Sequence, residues 1–442
     1  MSALISSLIG SIAGEILVPG DKSISHRALI LGALAIGKTQ ITSLLESDDV
    51  LATAAALRNL GVDILKSDDG TWSVFGRGVG GLSEPESVLD MGNSGTAARL
   101  LMGVMASHPF KTTFVGDKSL SMRPMERVMI PLRQMGGQFS SRSEGRLPIT
   151  VNGSVTPVPI SYELPVASAQ VKSAILLAGL NTQGLTSVVE KEPTRDHSER
   201  MLSYFGANLS IEKSPKGENK ISILGQPELT GNSIIVPGDF SSAAFIIVAA
   251  LIVPSSNVKL KSIGLNPLRT GLLKTLQEMG GEIKIYNERF EGGEPVGDLE
   301  VSSSSLKGIV VPASRAPSMI DEYPILAVAA AFSLGETHLQ GLGELRVKES
   351  DRLSAIAEGL SLAGVKVSEI EDSLLIKSTG KVTGGVTIKT SLDHRIAMAF
   401  LVLGMAAENP IIIDDSEMID TSFPDFISLM NRMGASIKEI SI

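Results

Sequence analysis

The hydrophobic and polar positions of this chain alternate between two kinds of segment. In the first kind, small, polar or charged residues precede a run rich in Ala, Leu and Ile, and a Gly or Pro turn and a strand-like segment follow. Because the runs are apolar on most faces, they predict buried helices. Six segments of this kind begin near Ser25, Asn93, Ser168, Ser241, Asp321 and Asp393, and their apolar runs are Ala28–Leu34, Ala97–Met105, Ala174–Leu180, Ala243–Val253, Ile325–Phe332 and Ile396–Met405.

The second kind of segment lies between these and resembles an amphipathic helix that ends in Gly before a short strand. A Gly just past a helix accepts the left-handed backbone that ends it. The intervals between these glycines, about 70 to 84 residues, are longer than those of solenoid repeats. Each unit is therefore interpreted as a small α/β module, and six modules make the protein. The glycines are Gly61, Gly136, Gly206, Gly280, Gly364 and Gly434.

A repeated turn suggests how the modules are grouped. Val18-Pro19-Gly20-Asp21 recurs as Val236-Pro237-Gly238-Asp239, with three modules between the two turns and three after the second. We therefore predict two domains, 20–237 and 1–19 with 238–442, and the N-terminal strand pairs into the C-terminal domain. Two crossings without a long linker suggest a hinge, and a hinge suggests an interdomain cleft that closes over the active site.

Composition narrows the class of protein. The 442 residues are 43% apolar and 20% charged, as is ordinary for a globular protein. The absence of Cys excludes disulfides, thiolate ligands and a Cys nucleophile, and a net charge of −9 argues against non-specific nucleic-acid binding. No Lys or Arg precedes the apolar part of residues 1–12, and no uncharged apolar run approaches the ~20 residues that span a bilayer. We therefore expect a cytoplasmic protein without membrane association.

Candidate chemistry gathers at the starts of the predicted buried helices. Free backbone N–H groups at a helix start attract anions, and Lys or Arg side chains add full charges. About seven cations in one site of an acidic protein predict a ligand with several anionic groups, such as phosphates and carboxylates. The chain lacks the Gly-x-x-x-x-Gly-Lys-Ser/Thr of a P-loop, so nucleotide hydrolysis is not indicated. The candidates are Lys22, Ser23, Arg27, Asn93, Gly95, Thr96, Arg123, Ser168, Gln170 and Arg195 in the first domain, and Asp321, Lys348, Glu349, Arg352, His394 and Arg395 in the second.

The densest charged stretch, 346–352, has two interpretations. One is a solvated helix start with local ion pairs. The other is catalytic: Lys348 and Arg352 are four residues apart and would share a helix face, and Glu349 among the cations would stay ionised until a ligand neutralised them and could then move a proton. Asp321 is either a second proton acceptor or a helix cap. Asp48-Asp49 and Asp414-Asp415 lack the spacing of a calcium loop and are assigned turn and cap roles.

Six motifs follow one another along the chain: Pro19-Gly20-Asp21-Lys22-Ser23 with Arg27, Gly92-Asn93-Ser94-Gly95-Thr96, Arg123-Pro124, Ser168-Ala169-Gln170, Arg346-Val347-Lys348-Glu349-Ser350-Asp351-Arg352 and Asp393-His394-Arg395. In this order they resemble the motifs of the 5-enolpyruvylshikimate-3-phosphate synthase family over essentially the whole length. Thr194-Arg195-Asp196-His197 and the segment 318–324 resemble a bacterial subgroup of it.

The resemblance implies a fold, a reaction and a pathway. The fold is the α/β two-domain enolpyruvyl transferase fold, in which each domain has three βαβαββ repeats with buried parallel helices. The reaction attaches the enolpyruvyl group of phosphoenolpyruvate to the 5-hydroxyl of shikimate 3-phosphate through a tetrahedral intermediate and releases phosphate. It belongs to the shikimate pathway of chorismate and aromatic amino-acid biosynthesis, and its enzyme is the target of glyphosate. No metal or organic cofactor is implied, and we expect a monomer whose only partners are its small-molecule substrates.

The resemblance also implies roles for single residues. Asp321 is the candidate base for the 5-hydroxyl, Glu349 moves a proton to and from the methylene carbon, and Lys22 is the third catalytic residue. The residues implied to bind shikimate 3-phosphate are Lys22, Ser23, Arg27, Ser168, Ala169, Gln170, Arg195, Asp321 and Lys348. Those implied to bind phosphoenolpyruvate are Lys22, Gly95, Arg123, Gln170, Arg352 and Arg395.

Two positions depart from the family pattern. Thr421 stands where many members have a Lys, and Leu100 stands where many have a Pro.

Two other functions compete with the one that the resemblance implies. One is that of the related transferase that acts on UDP-N-acetylglucosamine, which usually relies on a loop Cys that this chain lacks. The other is a non-catalytic protein that binds phosphorylated ligands. Asp321 and Glu349 among the cations favour catalysis, because a pure anion binder gains nothing from acidic groups.

Overall fold

The computed structural model describes residues 3–215 and 217–440, so the outermost residues of the predicted domains, 1–2 and 441–442, lie outside it. The described chain is a mixed α/β protein. Its α-helices are α1 (Lys22–Leu34), α2 (Asp48–Asn59), α3 (Gly95–Ala106), α4 (Lys118–Met122), α5 (Glu126–Gln134), α6 (Ala169–Leu180), α7 (His197–Tyr204), α8 (Phe240–Ile252), α9 (Gly271–Glu278), α10 (Tyr323–Ala331), α11 (Arg352–Leu362), α12 (His394–Gly404) and α13 (Phe426–Arg432). Short 3₁₀ helices span Ser143–Gly145, Ala313–Ser318, Gly343–Val347 and Glu417–Thr421.

The strands are short, as is usual where sheets alternate with helices. In chain order they are β1 (Ala3–Ser6), β2 (Ala13–Leu17), β3 (Ile36–Thr42), β4 (Asp63–Lys66), β5 (Trp72–Arg77), β6 (Leu89–Asp90), β7 (Lys111–Val115), β8 (Gln138–Arg142), β9 (Arg146–Asn152), β10 (Ser161–Glu163), β11 (Leu185–Glu190), β12 (Leu209–Lys213), β13 (Asn219–Leu224), β14 (Ser233–Ile235), β15 (Asn257–Gly264), β16 (Glu282–Glu291), β17 (Glu294–Ser302), β18 (Val310–Val311), β19 (Leu334–Leu339), β20 (Lys366–Ile370), β21 (Ser373–Thr379), β22 (Gly384–Ile388), β23 (Asn409–Ile413) and β24 (Ile437–Ile440).

The strands of the described residues form six sheets of four strands, one for each predicted module. Three have the orders β14-β3-β5-β4, β6-β7-β9-β8 and β10-β11-β13-β12. The other three have the orders β16-β17-β15-β2, β18-β19-β21-β20 and β22-β23-β1-β24. The module from β10 to β13 shows the plan: β10 and β11 are parallel across α6, and β13 pairs antiparallel with both β11 and β12. The chain order there is βαβαββ, with α7 as the second helix.

Three strands pair away from their neighbours in sequence. Strand β2 directly precedes α1 but runs parallel to β15, and β14 directly precedes α8 but runs parallel to β3. Strand β1 lies between β23 and β24, antiparallel to both. The two Pro-Gly turns follow β2 and β14, so each turn lies where the chain leaves one sheet for a helix of another module.

The chain divides into two compact units. Unit 1 comprises Met1–Pro19, Pro237–Arg289 and Pro295–Ile442, and unit 2 comprises Gly20–Val236 and Phe290–Glu294. The segment Phe290–Glu294 lies in unit 2, whereas the sequence-based division placed it in the other domain. The physical reason is length: β16 and β17 have 10 and 9 residues, so their hairpin is long, and its tip belongs to unit 2. There the Glu294 carboxylate lies 2.8 Å from Nδ1 of His197.

Each unit has its own hydrophobic core, built on three of the predicted buried helices. Those of unit 2 are α1, α3 and α6, and those of unit 1 are α8, α10 and α12; nearly every residue of each is buried. Packing is tight enough that a Cβ at Gly103 would lie 2.4 Å from the carbonyl oxygen of Ala174, so only Gly allows α3 to approach α6 this closely. Among the described residues, no helix is both long and apolar enough to cross a membrane.

The helix ends follow the predicted pattern. The six glycines after the amphipathic helices all have positive φ angles, between 86° and 114°. Residues with a side chain rarely adopt such a backbone conformation. The N-cap of α1 is Asp21, whose side chain accepts the N–H of Ile24 at 2.9 Å. Because Asp21 takes this role, Ser23 is already inside the first turn of the helix.

Candidate active site

Lys22 lies at the first position of α1 and is held by a carboxylate to which the sequence pattern gave only a turn or cap role. Its Nζ is 2.8 Å from Oδ2 of Asp49, and the two side chains are 22% and 12% exposed. The assignment of Asp49 to a cap was wrong: the residue before α2 is Ser47, and Asp49 in the first turn faces Lys22. The pair orients the Lys22 ammonium while leaving it partly open to solvent.

Arg27 is buried one turn further along α1. Its Nη1 donates to the Ser23 carbonyl at 2.9 Å, Nε donates to Ser198 Oγ at 2.7 Å, and Nη2 donates to Ser173 Oγ at 3.0 Å. Burial lowers the pKa of Arg27 to about 10, and the nearby carboxylates of Glu199 and Asp21 oppose this shift. The guanidinium therefore stays charged at neutral pH, and three hydrogen bonds fix its plane.

Gly95 and Arg123 are neighbours at the start of α3. The cap of α3 is Ser94, which accepts the N–H of Ala97 at 3.2 Å. Arg123 Nη2 donates to Asn93 Oδ1 at 2.9 Å, and Asn93 in turn donates to Asp117 at 2.7 Å. A Cβ on Gly95 would lie 3.5 Å from Arg123 Nη1, so Gly at this position leaves more room for a ligand beside that guanidinium. The departure at Leu100 is accommodated, because its side chain is fully buried in this helix.

Gln170 ties the start of α6 to α3. Arg99 Nη1 donates to Gln170 Oε1 at 3.0 Å, and Gln170 Nε2 donates to Thr96 Oγ1 at 3.1 Å. The cap of α6 is Ser168, which accepts the N–H of Val171 at 3.4 Å. The backbone N–H groups of Ala169 and Gln170 thus belong to the first helical turn, where an α-helix supplies no acceptor. They are suited to an anionic oxygen.

Arg195 lies between β11 and α7, in a segment without regular secondary structure. Its charge acts on Arg27, lowering the pKa of that guanidinium, so the two cations are close enough to affect each other. The predicted residues of unit 2 thus lie at the starts of its three buried helices, at Arg123 just after α4, and at Arg195 just before α7. We call this group the unit 2 cluster; it comprises Lys22, Ser23, Arg27, Gly95, Arg123, Ser168, Ala169, Gln170 and Arg195.

In unit 1 the predicted residues gather around Arg352. Its side chain is 1% exposed, and its Nε donates to Asp393 Oδ2 at 2.7 Å while Nη2 lies 3.2 Å from Asp393 Oδ1. Burial would lower the pKa of Arg352, but Asp393 and Glu349 outweigh it and raise that pKa. Burial would likewise raise the pKa of Asp393, but Arg352 holds it below its usual value. Both groups are therefore ionised at neutral pH.

Both predicted proton-transfer groups contact this guanidinium. Arg352 Nη2 is 2.5 Å from Glu349 Oε2, and Arg352 Nη1 is 3.5 Å from Asp321 Oδ1. Lys348 Nζ is 3.3 Å from the same Asp321 oxygen, and Arg395 Nη1 donates to the Asp321 carbonyl at 3.2 Å. We call Asp321, Lys348, Glu349, Arg352 and Arg395 the unit 1 cluster. It places two partly accessible carboxylates among three cations.

The prediction that Lys348 and Arg352 share a helix face was wrong. The 3₁₀ helix ends at Val347, α11 begins at Arg352, and Lys348 lies in the turn between them. The turn arises because Asp351 caps α11 by accepting the N–H of Ser354. Lys348 and Arg352 nevertheless meet at Asp321, because the turn folds Lys348 back toward it.

Other predicted residues have supporting positions. His26 Nδ1 lies 2.7 Å from Thr53 Oγ1, and burial lowers the pKa of His26 to about 3, which leaves it neutral near pH 7. Thr421 supplies no cation; its hydroxyl donates to the Met418 carbonyl at 2.7 Å. Sequence reasoning missed Asp49, Arg99 and the partners of Arg27, because these contacts join residues 27 to 171 positions apart. Asp393 was within a quoted motif, but nothing in the sequence pointed to Arg352 as its partner.

Comparison with known proteins identifies the family of the chain. The sequence pattern of the family described as EPSP synthase (3-phosphoshikimate 1-carboxyvinyltransferase) matches residues 7–430. The chain belongs to this family. EPSP synthases are transferases, and so is this enzyme.

Two of the most similar relatives are named 3-phosphoshikimate 1-carboxyvinyltransferase. The relative from Paramagnetospirillum magneticum is 61% identical over 427 residues, 96% of each chain. The relative from Parvibaculum lavamentivorans is 58% identical over 436 residues, 98% of this chain and 97% of its own.

Solved structures extend the likeness to the fold. The EPSP synthase of Acinetobacter baumannii is 44% identical and superimposes with a TM-score of 0.89 over the full length of both chains. The enolpyruvyl transferase NikO from Streptomyces tendae is 14% identical with a TM-score of 0.79, over 100% of this chain and 99% of its own. The chain therefore has the enolpyruvyl transferase fold that the EPSP synthase motifs implied.

Proposed function

We propose that this enzyme transfers the carboxyvinyl group of phosphoenolpyruvate to the 5-hydroxyl of shikimate 3-phosphate and releases phosphate. The observation that carries the proposal is the unit 1 cluster, where Asp321 and Glu349 both contact Arg352 and two more cations adjoin. Acidic groups in a cationic site serve proton transfer, and cations serve an anionic substrate. The reaction needs both, because it transfers protons and because its two substrates together carry two phosphates and two carboxylates.

The unit 2 cluster is proposed to bind shikimate 3-phosphate. The fixed guanidinium of Arg27, with Ser23, would hold the carboxylate, since its planar fork matches a carboxylate in geometry. The first-turn N–H groups of Ala169 and Gln170, with Ser168 and Arg195, would hold the 3-phosphate. Lys348 and Asp321 would contact the ring hydroxyls.

Phosphoenolpyruvate is assigned to the remaining cations. Arg123 lies beside Gly95, and Gln170 is tied to the same helix through Arg99 and Thr96. Together with Lys22 they would hold the phosphate. Arg352 and Arg395 would attract the carboxylate. Arg352 is nearly buried and already engaged with Asp393, so Arg395, with 11% of its side chain exposed, is the more accessible of the two.

The proton transfers follow from the carboxylates. Asp321 would accept the 5-hydroxyl proton as the oxygen attacks C2 of phosphoenolpyruvate, and Glu349 in its protonated form would give a proton to C3. Elimination reverses the second transfer: Glu349 takes a proton from the new methyl group while the C2–O bond to phosphate breaks. The cations counter the charge that moves between these groups, which is a large catalytic contribution when they are fixed in advance. No metal or organic cofactor takes part in this scheme.

The remaining expectations are proposals as well. We propose that the active site draws residues from both units, which the assigned roles require. The enzyme is further proposed to be a cytoplasmic monomer whose partners are its two substrates.

Phosphate release tests the reaction. Purified enzyme is given phosphoenolpyruvate with and without shikimate 3-phosphate, for wild type, Glu349→Gln and the matched control Glu358→Gln, an exposed carboxylate on α11. Release should require shikimate 3-phosphate, fall at least about 100-fold in Glu349→Gln and be unchanged in the control. Release with UDP-N-acetylglucosamine instead, or none with either acceptor, would overturn the proposal.

A further inference from the structure

A buried charged cluster in unit 2 has no role in the proposed chemistry. Lys172 follows Gln170 by two residues on α6, and its side chain is fully buried. Its Nζ is 3.0 Å from Glu190 Oε2 and 2.6 Å from Glu199 Oε1, and these side chains are each 3% exposed. A lysine rarely enters a core unless it is paired there. The two ion pairs explain how the core accommodates the charge of Lys172. They do not explain why Lys172 lies beside the start of α6, where the substrate is proposed to bind.

Two residues of this buried cluster, Lys172 and Glu190, form hydrogen bonds with Thr194, the residue before Arg195. Glu190 Oε2 accepts both the N–H of Thr194 at 3.2 Å and its Oγ1 hydroxyl at 2.7 Å. Lys172 Nζ donates to the Thr194 carbonyl at 3.3 Å. The N–H, carbonyl and hydroxyl of Thr194 are thus all held by two buried side chains. Arg195 follows directly, in a segment that belongs to no helix or strand.

Helices α6 and α7 also hold Arg27, another cation of the unit 2 cluster. Ser173 adjoins Lys172, and Ser198 adjoins Glu199; their hydroxyls lie 2.7 Å apart, and each accepts a hydrogen bond from Arg27. Residues of α6 therefore contact both guanidinium-bearing segments, together with Glu190 of β11 at Thr194 and Ser198 of α7 at Arg27. Hydrogen bonds between buried groups, in a medium of low dielectric constant, hold such segments rigidly.

We propose that Lys172 and Glu190 are positioning residues for recognition of shikimate 3-phosphate. They fix Thr194 and thereby place the Arg195 guanidinium in advance for the 3-phosphate. The inference rests on the proposed function, which assigns that phosphate to Arg195. Fixing the segment in the free protein spares the ordering cost that a loose loop would pay on binding.

The sharpest test alters Thr194 and leaves the buried charges in place. Thr194→Val keeps the shape and removes the hydroxyl that donates to Glu190, and Thr194→Ser is the conservative variant that restores it. Calorimetric titration with shikimate 3-phosphate and with shikimate separates the phosphate contact from the rest. Thr194→Val should weaken the binding of shikimate 3-phosphate about 3- to 10-fold and the binding of shikimate less than about twofold. KM for phosphoenolpyruvate should be unchanged. Thr194→Ser should bind both ligands as wild type does.

Two further variants decide whether the effect passes through Arg195. In an Arg195→Gln background, Thr194→Val should add little, because the group it positions is gone. Glu190→Gln weakens the clamp from the other side and should also reduce the preference for shikimate 3-phosphate over shikimate. A lowered melting temperature with that preference intact in Thr194→Val and Glu190→Gln would overturn the proposal, as would an equal Thr194→Val effect in both backgrounds. If Arg195→Gln alone leaves shikimate 3-phosphate binding intact, the phosphate assignment in the proposed function fails instead.

Discussion

Replacing Asp393 by Asn tests whether one buried carboxylate holds the unit 1 cluster together. The Asp393 side chain is fully buried and accepts hydrogen bonds from Arg352 Nε at 2.7 Å, Arg352 Nη2 at 3.2 Å and Ser350 Oγ at 3.0 Å. It also accepts the backbone N–H of Arg395 at 2.9 Å. Asn has the same shape, but it removes the charge and presents an NH₂ group to donors that require an oxygen.

The structure sets the size of the effect. Removing one partner of a buried ion pair costs about 3–5 kcal/mol, because the other charge is left buried. Arg352 keeps Glu349 and Asp321 as partners, so the lower end, about 3 kcal/mol, is expected. Unit 1 has about 220 residues, for which 1 kcal/mol shifts the melting temperature by about 2–4 °C. The expected decrease is therefore about 6–12 °C.

The pH dependence supplies a second criterion. Because Arg352 lowers the pKa of Asp393 in the folded protein, the stabilisation is complete above the unfolded-state pKa near 3.9. It disappears as the pH falls through the lower folded-state pKa. The difference in unfolding free energy between wild type and Asp393→Asn should be full at neutral pH and shrink below about pH 4.

Differential scanning calorimetry and urea unfolding measure both quantities. The matched control is Asp372→Asn, which removes a carboxylate that is 60% exposed and 3.4 Å from Arg346 Nε; such surface pairs contribute about 0–1 kcal/mol. The reasoning is refuted if Asp393→Asn costs no more than the control. It is also refuted if its deficit at the lowest pH where the protein still unfolds reversibly equals the deficit at neutral pH.

Three further outcomes are expected. Gly95→Ala places a Cβ 2.8 Å from Arg99 Nη1. Because the flexible guanidinium can shift, KM for phosphoenolpyruvate should rise only about 2- to 10-fold, while inhibition by glyphosate should weaken by more. Unchanged glyphosate inhibition in steady-state assays would contradict this prediction. Burial raises the pKa of Glu199 against the opposing effect of Lys172, so ionisation of Glu199 destabilises the fold as the pH rises above the unfolded-state pKa of about 4.3. The unfolding free energy of Glu199→Gln in urea should therefore increase relative to wild type between acid and neutral pH. A difference in unfolding free energy that does not change with pH would count against this prediction. Because the proposed roles draw on both units, saturating shikimate 3-phosphate should reduce the radius of gyration in small-angle scattering, and identical curves would argue against a shared site.

The sequence alone was enough to predict the repeating architecture. Six apolar runs marked the buried helices and six glycines marked the ends of the amphipathic ones, because burial and a left-handed backbone each impose a local requirement on residue type. The motifs also identified which residues to examine, and the structure gathers them at the starts of α1, α3, α6, α11 and α12 and just before α10. The number of modules and the α/β class followed from periodicity.

Only the tertiary structure decided how those residues are paired. Lys22 meets Asp49 at 27 positions' distance, and Arg352 meets Asp393 at 41. The long β16–β17 hairpin carries Glu294 to His197, 97 positions earlier. Lys172 stands just before an apolar run, and the pattern gives no sign that its charge is neutralised by Glu190 or that it hydrogen-bonds to Thr194. Ion pairs and hydrogen bonds between distant residues leave no periodic signal, because any carboxylate that the fold brings within about 3 Å serves equally well.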